Sequence, residues 1–489
     1  MPVKYLQDLI QGLQVEQIQG PANIPISKLC FNSNEVVPNS CFVAIPGTCA
    51  DGHNYIDIAI KMQCHAIICE IIPSTLMRGI TYVVVKSTTQ ALSTIASNFY
   101  DNPSRHLKII AVTGTNGKST IVHLLHHITT SLGYKTGMIS TICNKVADQT
   151  YPTCHTTPDA LRLQELFHAM YLAGCKYCFM EASSHAIVQH RLSSHMLDGA
   201  IFTNITPEHL NYHIDFKHYI QAKKTLFDNL PKKAFALINQ DDKHSKVIVQ
   251  NCASQIHHFS IRGYADFSAR IISNTFQGLE LEIDGQRIFS QLCGTFNASN
   301  LLAAYAASQL LKLDRTQSLI NLSSAKPTLG RMHSIAQTRI QHALVDFAHT
   351  PDALKLVLEN IRAMMTLKGR IITIMGCGGD RDRKNRPITG SILATCSDIV
   401  ILTSDNPRHE EPEDIINDIK SGISENLLYK VLVITDRETA LRAACFIAQR
   451  QDVILASGKG HQHYQEIKST KYPFCDAQIL QECLNSPLP

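Results

Sequence analysis

The sequence contains no tryptophan, and none of its apolar runs approaches the ~18 to 20 residues that a membrane-spanning helix requires. It also has no marked excess of one charge, because 45 Lys and Arg residues stand against 41 Asp and Glu residues. The resulting net charge of +4 is too small to form the basic surface with which nucleic-acid-binding proteins neutralise phosphates. We therefore expect a cytoplasmic protein that neither inserts into a membrane nor binds nucleic acid, and that holds any anionic ligand with local groups.

The cysteines show no pattern typical of disulfides or metal sites. All 16 are scattered, many within apolar runs, as small buried thiols are in a reducing compartment. One C-x-x-C pair, Cys175 and Cys178, lies in an apolar run and has no second pair to complete a zinc site. We interpret this pair as part of the packing.

Length and pattern divide the chain into three predicted domains. At roughly 150 residues per domain, 489 residues correspond to three. Short β-type runs precede the polar DNPSRH segment at 101–106, and from Leu107 apolar strands alternate with amphipathic helices until Pro and Gly interrupt the pattern near 326–331. We predict an α/β fold throughout: a small α/β domain at 1–106, a central doubly wound P-loop domain at 107–329 and a C-terminal Rossmann-like domain at 330–489.

One motif indicates phosphate binding. The apolar strand Ile109–Thr113 leads directly into a Gly-rich turn and then into a helix. In such a turn, glycines let the backbone N–H groups and the positive end of the helix face an anion, while a lysine reaches the outer phosphates and a hydroxyl ligates Mg²⁺. The alternative is an ordinary strand-to-helix turn. The predicted ATP-binding residues of the motif are Gly114, Thr115, Asn116, Gly117, Lys118, Ser119 and Thr120.

The string TGTNGKST at 113–120 resembles the ATP loop of the Mur ligase family, whose members are ATP-dependent, ADP-forming amide ligases of peptidoglycan precursor synthesis. Further motifs follow in the family's order and resemble those of the UDP-MurNAc-tripeptide synthetases, the MurE type, with the last motif in its meso-diaminopimelate form. The resemblance covers nearly the full length. It implies addition of meso-2,6-diaminopimelate to UDP-MurNAc-L-alanyl-D-glutamate through an acyl phosphate. The motifs are Met180–His185, Gln189–Arg191, Thr203–His213, Ala222–Lys223 and Asp405–Arg408.

The resemblance also implies roles in catalysis and in ATP and metal binding. Lys118, His209 and Lys223 would be catalytic, and Lys223 would be carbamylated by CO₂ so that it presents a carboxylate to Mg²⁺. Lys224 creates an ambiguity of register, which we resolve in favour of Lys223 because of its spacing from Tyr219. The implied Mg²⁺ ligands are Ser119, Glu181, His209 and carbamylated Lys223, and the residues that complete the ATP site are Asn297, Arg331 and Asp346.

Two further groups of residues are implied to bind the other substrates. The planar guanidinium of Arg191 suits a carboxylate or pyrophosphate, and that of Arg408 suits the far-end carboxylate by which diaminopimelate differs from lysine. The implied UDP-substrate residues are Ser33, Thr156, Thr157, Ser184, Gln189 and Arg191. The implied amino-acid-binding residues are Arg381, Asp405, Asn406, Pro407, Arg408, Gly458 and Gln462.

Three departures from the family pattern concern contacts rather than reaction class. His333 replaces a Glu, Glu208 and Asn211 replace two Asp residues, and Gln462 stands where a carboxylate would lie near the incoming amino acid. Gln accepts a hydrogen bond but carries no charge. The alternatives left open are a lysine-adding homologue, a folylpolyglutamate-type ligase and, in a different class, a P-loop nucleotide switch that hydrolyses ATP without other substrates.

Overall fold

The computed structural model describes residues 4–47, 50–335, 342–365 and 368–485. Its N-terminal region is built on a five-stranded sheet, in which the apolar runs CFVAI, AIICE and TYVVV form neighbouring strands as predicted. The elements are β1 (Lys4–Tyr5), α1 (Leu6–Leu9), β2 (Val15–Gln19), β3 (Pro25–Ile26), β4 (Lys28–Cys30), β5 (Ser40–Val43), α2 (Ile56–Lys61), β6 (Ala66–Cys69), β7 (Thr81–Val85) and α3 (Thr88–Phe99). The sheet order is β2-β7-β6-β5-β4, and only β2 is antiparallel to its neighbour.

The central region contains an 11-stranded sheet in the order β11-β10-β9-β12-β8-β13-β14-β15-β16-β17-β18. The first elements are β8 (Lys108–Thr113), α4 (Lys118–Ser131), β9 (Thr136–Ile139), β10 (Asn144–Val146), β11 (Gln149–Tyr151), α5 (Ala160–Leu172), β12 (Tyr177–Glu181), α6 (Ser184–Val188), β13 (Gly199–Phe202), α7 (Leu210–His213) and α8 (Phe216–Asp228). The others are β14 (Phe235–Asn239), α9 (Ser245–Ile248), β15 (Gln255–Ser260), β16 (Phe267–Thr275), β17 (Gly278–Ile283), β18 (Gln286–Ser290), α10 (Thr295–Leu310) and α11 (Arg315–Ser324).

Strand β8 illustrates why this sheet is covered on both faces. Its side chains alternate between two buried clusters, with Ile110 and Val112 packing beside α4 and α10, and Ile109 and Ala111 packing beside α5 and α8. A strand that is apolar on both faces requires helices on both sides, which is the predicted doubly wound arrangement. The fold-class prediction is therefore confirmed. The buried free thiols Cys175 and Cys178 contribute to this packing.

The antiparallel hairpins at the edges of this sheet were not predicted. The β17–β18 hairpin turns at Asp284 (φ +51°) and Gly285 (φ +72°). Positive φ at both central residues is typical of a type I′ turn, for which Asp-Gly is a strong sequence signal. The Asp-Gly signal is present in the sequence, although the alternating apolar runs predicted only a largely parallel sheet.

The C-terminal region is a second, smaller parallel sheet in the order β19-β20-β24-β21-β22-β23, with only β19 antiparallel. A separate hairpin, β25 with β26, follows it. The elements are β19 (His333–Ser334), β20 (His342–Asp346), α12 (Pro351–Met364), β21 (Ile371–Met375), α13 (Asn385–Cys396), β22 (Ile399–Leu402), α14 (Pro412–Lys420), β23 (Val431–Val433), α15 (Arg437–Ile447), β24 (Val453–Ser457), β25 (Tyr464–Ile467), β26 (Thr470–Pro473) and α16 (Asp476–Asn485).

The carboxyl ends of the parallel strands carry most of the candidate site residues. In the central sheet, β8 leads into the phosphate loop and β12 ends at Glu181. In the C-terminal sheet, β20 ends at Asp346, while β22 and β24 lead into the loops that contain Asp405 and Gly458. Ligands usually bind at this edge of open α/β sheets. No helix in the described ranges is long and apolar enough to cross a membrane.

Candidate active site

The phosphate loop is held in shape by the segment that follows β13. Gly114 (φ +147°) and Gly117 (φ +89°) have positive φ values that L side chains rarely adopt. A Cβ at Gly114 would overlap the hydroxyl of Thr203. The carbonyl oxygen of Asn204 accepts the N–H of Thr115 at 2.8 Å. The loop therefore requires glycine at this close approach, and the contacts with Thr203 and Asn204 hold its shape.

The N-terminus of α4 offers donors to an anion. The helix begins at Lys118 without a side-chain cap, so its first backbone N–H groups have no partner within the helix. Lys118 Nζ donates to the carbonyl oxygens of Gly114 at 2.9 Å and Thr115 at 2.8 Å. Burial lowers the pKa of Lys118, whereas the carboxylates of Glu208 and Glu181 act in the opposite direction. These groups fit the polyphosphate of ATP.

The two adjacent lysines of α8 have different surroundings. Lys223 is only 1% exposed, and its Nζ donates to the carbonyl oxygen of Gly114 at 2.9 Å. The same nitrogen lies 4.6 Å from the centre of the Tyr219 ring. Lys224 instead binds both carboxylate oxygens of Asp228, at 2.6 and 2.7 Å. Of the two registers, only that of Lys223 directs the side chain into the phosphate loop.

The protonation of Lys223 is strongly perturbed. Burial, followed by the like charge of Lys118, lowers the pKa of Lys223 well below its usual value, although the carboxylate of Glu208 opposes the shift. A buried lysine in this environment favours its neutral amine, which is the nucleophilic form.

Glu208, which the sequence analysis noted only as a departure, lies between the central and C-terminal regions. Its carboxylate is 3.4 Å from His209 Nε2 and 3.5 Å from Nε2 of His349, which belongs to the C-terminal region. The Tyr219 hydroxyl donates to it at 3.4 Å. Burial disfavours its charge, but the hydrogen bond from His349 and the charge of Lys118 outweigh burial and lower the pKa of Glu208. Its place directly before His209 was the signal that could have identified it.

His209, at the start of α7, is a neutral imidazole at pH 7. Burial lowers its pKa to about 4, although the neighbouring carboxylate of Glu208 opposes the shift. A neutral imidazole has a nitrogen lone pair with which to bind a metal ion. The side chain of Asn211, two residues further on, lies outside the described structure.

The predicted magnesium ligands lie around the phosphate loop but do not form a closed cage. Glu181 is buried, and its carboxylate accepts the N–H of Thr141 at 2.8 Å and the Thr141 hydroxyl at 3.2 Å. The Ser119 hydroxyl lies 3.4 Å from Arg331 Nη2. In the described part of the chain, no group of three or more His, Cys, Asp or Glu residues could hold a metal ion. One carboxylate, that of Glu181, and one hydroxyl, that of Ser119, fit Mg²⁺, which usually takes one or two carboxylates and completes its coordination shell with water and substrate phosphates.

Residues predicted to bind the UDP substrate form a hydrogen-bonded group beside β12. The Thr157 hydroxyl donates to the carbonyl oxygen of Glu181 at 2.7 Å, and the Thr157 carbonyl accepts Arg191 Nη1 at 2.8 Å. Gln189 Oε1 accepts two bonds from the Arg191 guanidinium, at 3.0 and 2.7 Å. Arg191 is therefore held rigidly by its neighbours.

The other predicted UDP-substrate residues are less closely connected. The Ser184 hydroxyl lies 2.9 Å from His213 Nε2, and the Thr156 hydroxyl lies 3.0 Å from that of Thr141. Ser33 is on the N-terminal region, and within the residues that the structure describes no side-chain hydrogen bond joins it to the others. The N-terminal region approaches the group through Gln90, whose amide lies 3.4 Å from His190.

Polar residues of the loop after β24 hold the loop after β22 in place. Asn406 Oδ1 accepts Lys459 Nζ at 2.9 Å, and Asn406 Nδ2 donates to Gln462 Oε1 at 2.9 Å. Lys459 also lies 3.3 Å from Asp405 Oδ1. Gly458 (φ +104°) passes close to the carboxylate of Asp405. The structure thus brings together these four predicted residues, and it adds the buried Lys459, which sequence reasoning missed.

Arg408 is held by contacts from two other segments. Its Nη1 donates to the carbonyl oxygen of Gly379 at 2.6 Å, and its Nε donates to Glu466 Oε2 at 3.0 Å. Pro407 packs so closely on Gly379 that a Cβ at the glycine would overlap the Pro407 carbonyl. Sequence reasoning identified Arg408 and Pro407 but gave no indication of Glu466.

Arg381 lies in the same cleft as Arg408. Burial and the like charge of Arg408 lower the pKa of the Arg381 guanidinium, whereas the carboxylates of Glu208 and Glu466 act in the opposite direction. Glu208 belongs to the central region, so its charge acts on Arg381 across the boundary between the central and C-terminal regions.

Arg331 and Asp346 lie where these two regions meet. Asp346 accepts the backbone N–H groups of Met332 at 2.6 Å and Ala348 at 2.7 Å. Burial raises the pKa of Asp346, although the positive charge of Arg331 opposes the shift. The guanidinium carbon of Arg331 lies 4.5 Å from the centre of the Phe347 ring. Both residues therefore order the segment around Met332, which connects the central region to the C-terminal region.

Asn297 is connected to the phosphate loop through its neighbour on α10. Its Nδ2 donates to the carbonyl oxygen of Cys293 at 2.7 Å, and its Oδ1 accepts Asn300 Nδ2 at 2.9 Å. Asn300 packs against Gly117, where a Cβ would overlap the amide oxygen. The start of α10 thus lines one side of the loop.

Comparisons with known proteins agree with this arrangement. The Mur ligase middle domain matches residues 112–308, and the Mur ligase, glutamate ligase domain matches residues 330–460. The UDP-N-acetylmuramoyl-L-alanyl-D-glutamate--2,6-diaminopimelate ligase of Bacteroides thetaiotaomicron is 45% identical over 480 residues, covering 98% of this chain and 100% of that protein.

Solved structures show the same architecture. A UDP-N-acetylmuramoyl-L-alanyl-D-glutamate--2,6-diaminopimelate ligase is similar over 99% of both chains, with 28% identity and a TM-score of 0.69. A MurF ligase from Thermotoga maritima, solved in complex with ADP, shares the fold over 94% of this chain and 96% of its own, with 17% identity and a TM-score of 0.61. Together with the matching domains and the full-length relative, the three α/β regions establish that the chain belongs to the Mur ligase family.

Proposed function

We propose that this chain is an ATP-dependent, ADP-forming ligase that joins an amino group of meso-2,6-diaminopimelate to the D-glutamyl carboxylate of UDP-MurNAc-L-alanyl-D-glutamate. One observation carries the proposal: the carboxylate of Glu208, in the central region, lies 3.5 Å from Nε2 of His349 in the C-terminal region, so the regions that carry the phosphate loop and the Arg408 loop meet at one site. A ligase needs this arrangement because the carboxylate must react in line with the γ-phosphate, and the amine must then reach the acyl phosphate at the same site. The Bacteroides relative named for this reaction aligns with nearly the whole chain.

The reaction first converts an oxygen of the carboxylate into a leaving group. The carboxylate attacks the γ-phosphorus of ATP, the bond to ADP breaks, and an acyl phosphate forms. The neutral amine then attacks the acyl carbon, the carbon–oxygen bond to phosphate breaks, and the products are an amide, inorganic phosphate and a proton. Because the reacting groups repel one another, Lys118 and the N-terminus of α4 stabilise the charge that develops during transfer.

Mg²⁺, when bound, neutralises the phosphate charge and polarises the transferring group. We assign its protein ligands to Ser119, Glu181, His209 and a carbamylated Lys223. The chemistry of these groups supports the assignment. Ser119 and Glu181 supply oxygen atoms next to the phosphate loop, His209 supplies a neutral imidazole, and Lys223 is buried against the loop.

Carbamylation explains why a lysine is buried at this position. The neutral amine of Lys223 attacks the carbon of CO₂, one carbon–oxygen π bond breaks, and the nitrogen loses a proton, which leaves a carboxylate. The depressed pKa of Lys223 favours the reacting form.

The loop after β22, which carries Arg408, selects the amino acid that is added. Arg408 and Arg381 supply guanidinium groups to the far-end carboxylate of diaminopimelate, whereas L-lysine would bring an ammonium group into the same positive field. Gln462 bonds Asn406 and adds no charge that would favour an ammonium group.

The proposal is tested by measuring ADP release in the full reaction mixture and in mixtures that each lack one substrate. The full mixture should release ADP stoichiometrically with the tripeptide product, and omission of either the UDP substrate or diaminopimelate should abolish turnover. ATP hydrolysis without either substrate would instead identify a nucleotide switch. Turnover with L-lysine in place of diaminopimelate would identify the lysine-adding alternative.

A further inference from the structure

Arg408 is held at its backbone and at its side chain by one neighbouring strand, β25. Its backbone N–H donates to the carbonyl oxygen of Glu466 at 3.1 Å, and its own carbonyl accepts the N–H of Lys468 at 2.9 Å. The φ of Arg408 is +51°, a backbone conformation that non-glycine residues seldom adopt. The two bonds to β25 and Lys468 stabilise this conformation. The side chain of the same Glu466 then accepts the Nε hydrogen at 3.0 Å.

Glu466 is itself well positioned for this role. Its N–H donates to Asn406 Oδ1 at 2.9 Å, which fixes the strand against the loop that carries Arg408. Successive side chains in a strand point to opposite faces, so Glu466 faces away from the side on which Gln465 binds the carbonyl oxygen of Asp405 at 2.8 Å. The side chains of Arg408 and Glu466 are 20% and 23% exposed, so their contact is largely shielded from water.

The contacts of Arg408 leave one edge of its guanidinium available. Nε is bound to Glu466 and one Nη1 hydrogen to the carbonyl of Gly379. Among the residues that the structure describes, no acceptor binds Nη2. The free donors are therefore the two Nη2 hydrogens and one Nη1 hydrogen, and a guanidinium that presents parallel N–H groups from Nη1 and Nη2 binds a carboxylate in the strong, bidentate geometry.

We propose that Glu466 is the positioning residue of Arg408, which turns the Nη1–Nη2 edge of the guanidinium toward the far-end carboxylate of the incoming amino acid. This inference rests on the proposed function and deepens it. Glu466 does not touch the substrate, and its charge has the same sign as the substrate carboxylate. It therefore acts by orienting Arg408 and not by attraction.

Two substitutions of Glu466 separate orientation from charge. Glu466→Ala removes the acceptor for Nε, whereas Glu466→Gln retains an acceptor oxygen of similar reach and removes only the charge. With the full-length chain, Glu466→Ala should raise KM for diaminopimelate at least ~5-fold and leave kcat within ~3-fold, because a bidentate contact is misaligned but the chemistry is not. Glu466→Gln should leave KM for diaminopimelate equal to that of the wild type or lower, because a repulsive charge is gone. Glu411→Ala, an exposed carboxylate of the same region, is the matched control and should change nothing.

The substrate dependence completes the test. Glu466→Ala should narrow the preference for diaminopimelate over L-lysine and leave KM for ATP and for the UDP substrate unchanged. An unchanged KM for diaminopimelate in Glu466→Ala, an equal rise in Glu466→Gln, or a rise in all three KM values would overturn the assignment. A wild-type chain that does not use diaminopimelate would overturn the proposed function, and this inference with it.

Discussion

Lys118 and Lys223 direct their Nζ atoms at the same atom, the carbonyl oxygen of Gly114, each at 2.9 Å. One lysine begins the helix after the phosphate loop, and the other lies on a helix about a hundred residues further along the chain. Burial and mutual repulsion shift Lys223 toward its neutral form. The pair therefore combines a phosphate-binding charge with a lysine prepared for modification.

Replacement of Lys223 by alanine should abolish activity. The variant loses the carbamate that we assign to magnesium binding, and a short carboxylic acid such as formate or acetate should restore part of the turnover by occupying the vacated volume. Lys224→Met is the matched control, because Lys224 binds Asp228 and not the phosphate loop. It should lower thermal stability but retain activity. An active Lys223→Ala with an inactive Lys224→Met would show that the register is wrong.

Replacement of Lys118 by alanine should reduce kcat at least ~10²-fold, the scale on which loss of one preorganised electrostatic contact slows an enzyme. Steady-state ADP release measures the effect, and circular dichroism shows whether the variant is folded. A folded variant with near-normal kcat would contradict the phosphate role of Lys118.

Replacement of Arg408 by alanine should remove the preference for diaminopimelate. In the wild type, L-lysine as acceptor would leave the free edge of the part-buried Arg408 guanidinium without a carboxylate, so we expect diaminopimelate to be favoured by ~10³-fold or more in kcat/KM. The ratio should fall by at least ~10-fold in the variant, because the charge that distinguishes the two acceptors is gone. A variant that keeps the full preference would show that Arg408 is not the selector.

The C-terminal region should depend on one buried ion pair for stability. Arg437 and Asp476 are both fully buried and bonded at 2.8 and 2.7 Å. Asp476→Asn leaves the guanidinium without a counter-charge and should lower the free energy of unfolding by about 3–5 kcal/mol, as measured by chemical denaturation. Glu438→Gln, which breaks a half-exposed pair with Arg442 on the same helix, should leave stability nearly unchanged. Equal effects of the two substitutions would contradict this account.

The sequence predicted the parts of the structure that local pattern determines. The apolar run before Gly114, the glycine spacing and the helix that follows are sufficient to specify a strand, a turn and an anion-binding helix terminus. The same holds for the alternating apolar runs that form the two parallel sheets. The two predicted domain boundaries rest on the same reasoning and remain predictions.

The contacts that the sequence did not predict join segments that are distant along the chain. Glu208 approaches His349 only because the central and C-terminal regions fold against each other. Glu466 reaches Arg408 only because a hairpin packs beside the loop after β22. Neither residue has a neighbour in sequence that reveals its partner. Carbamylation of Lys223 and the identity of the metal ligands likewise remain predictions.

A competition experiment tests the central claim most directly. The wild-type chain is given ATP, Mg²⁺, UDP-MurNAc-L-alanyl-D-glutamate and an equimolar mixture of meso-diaminopimelate and L-lysine, and the UDP-linked product is identified by mass spectrometry. We predict a product that carries diaminopimelate almost exclusively, with one ADP released per molecule formed. A product that carries lysine, or ADP release without any UDP-linked product, would contradict the account.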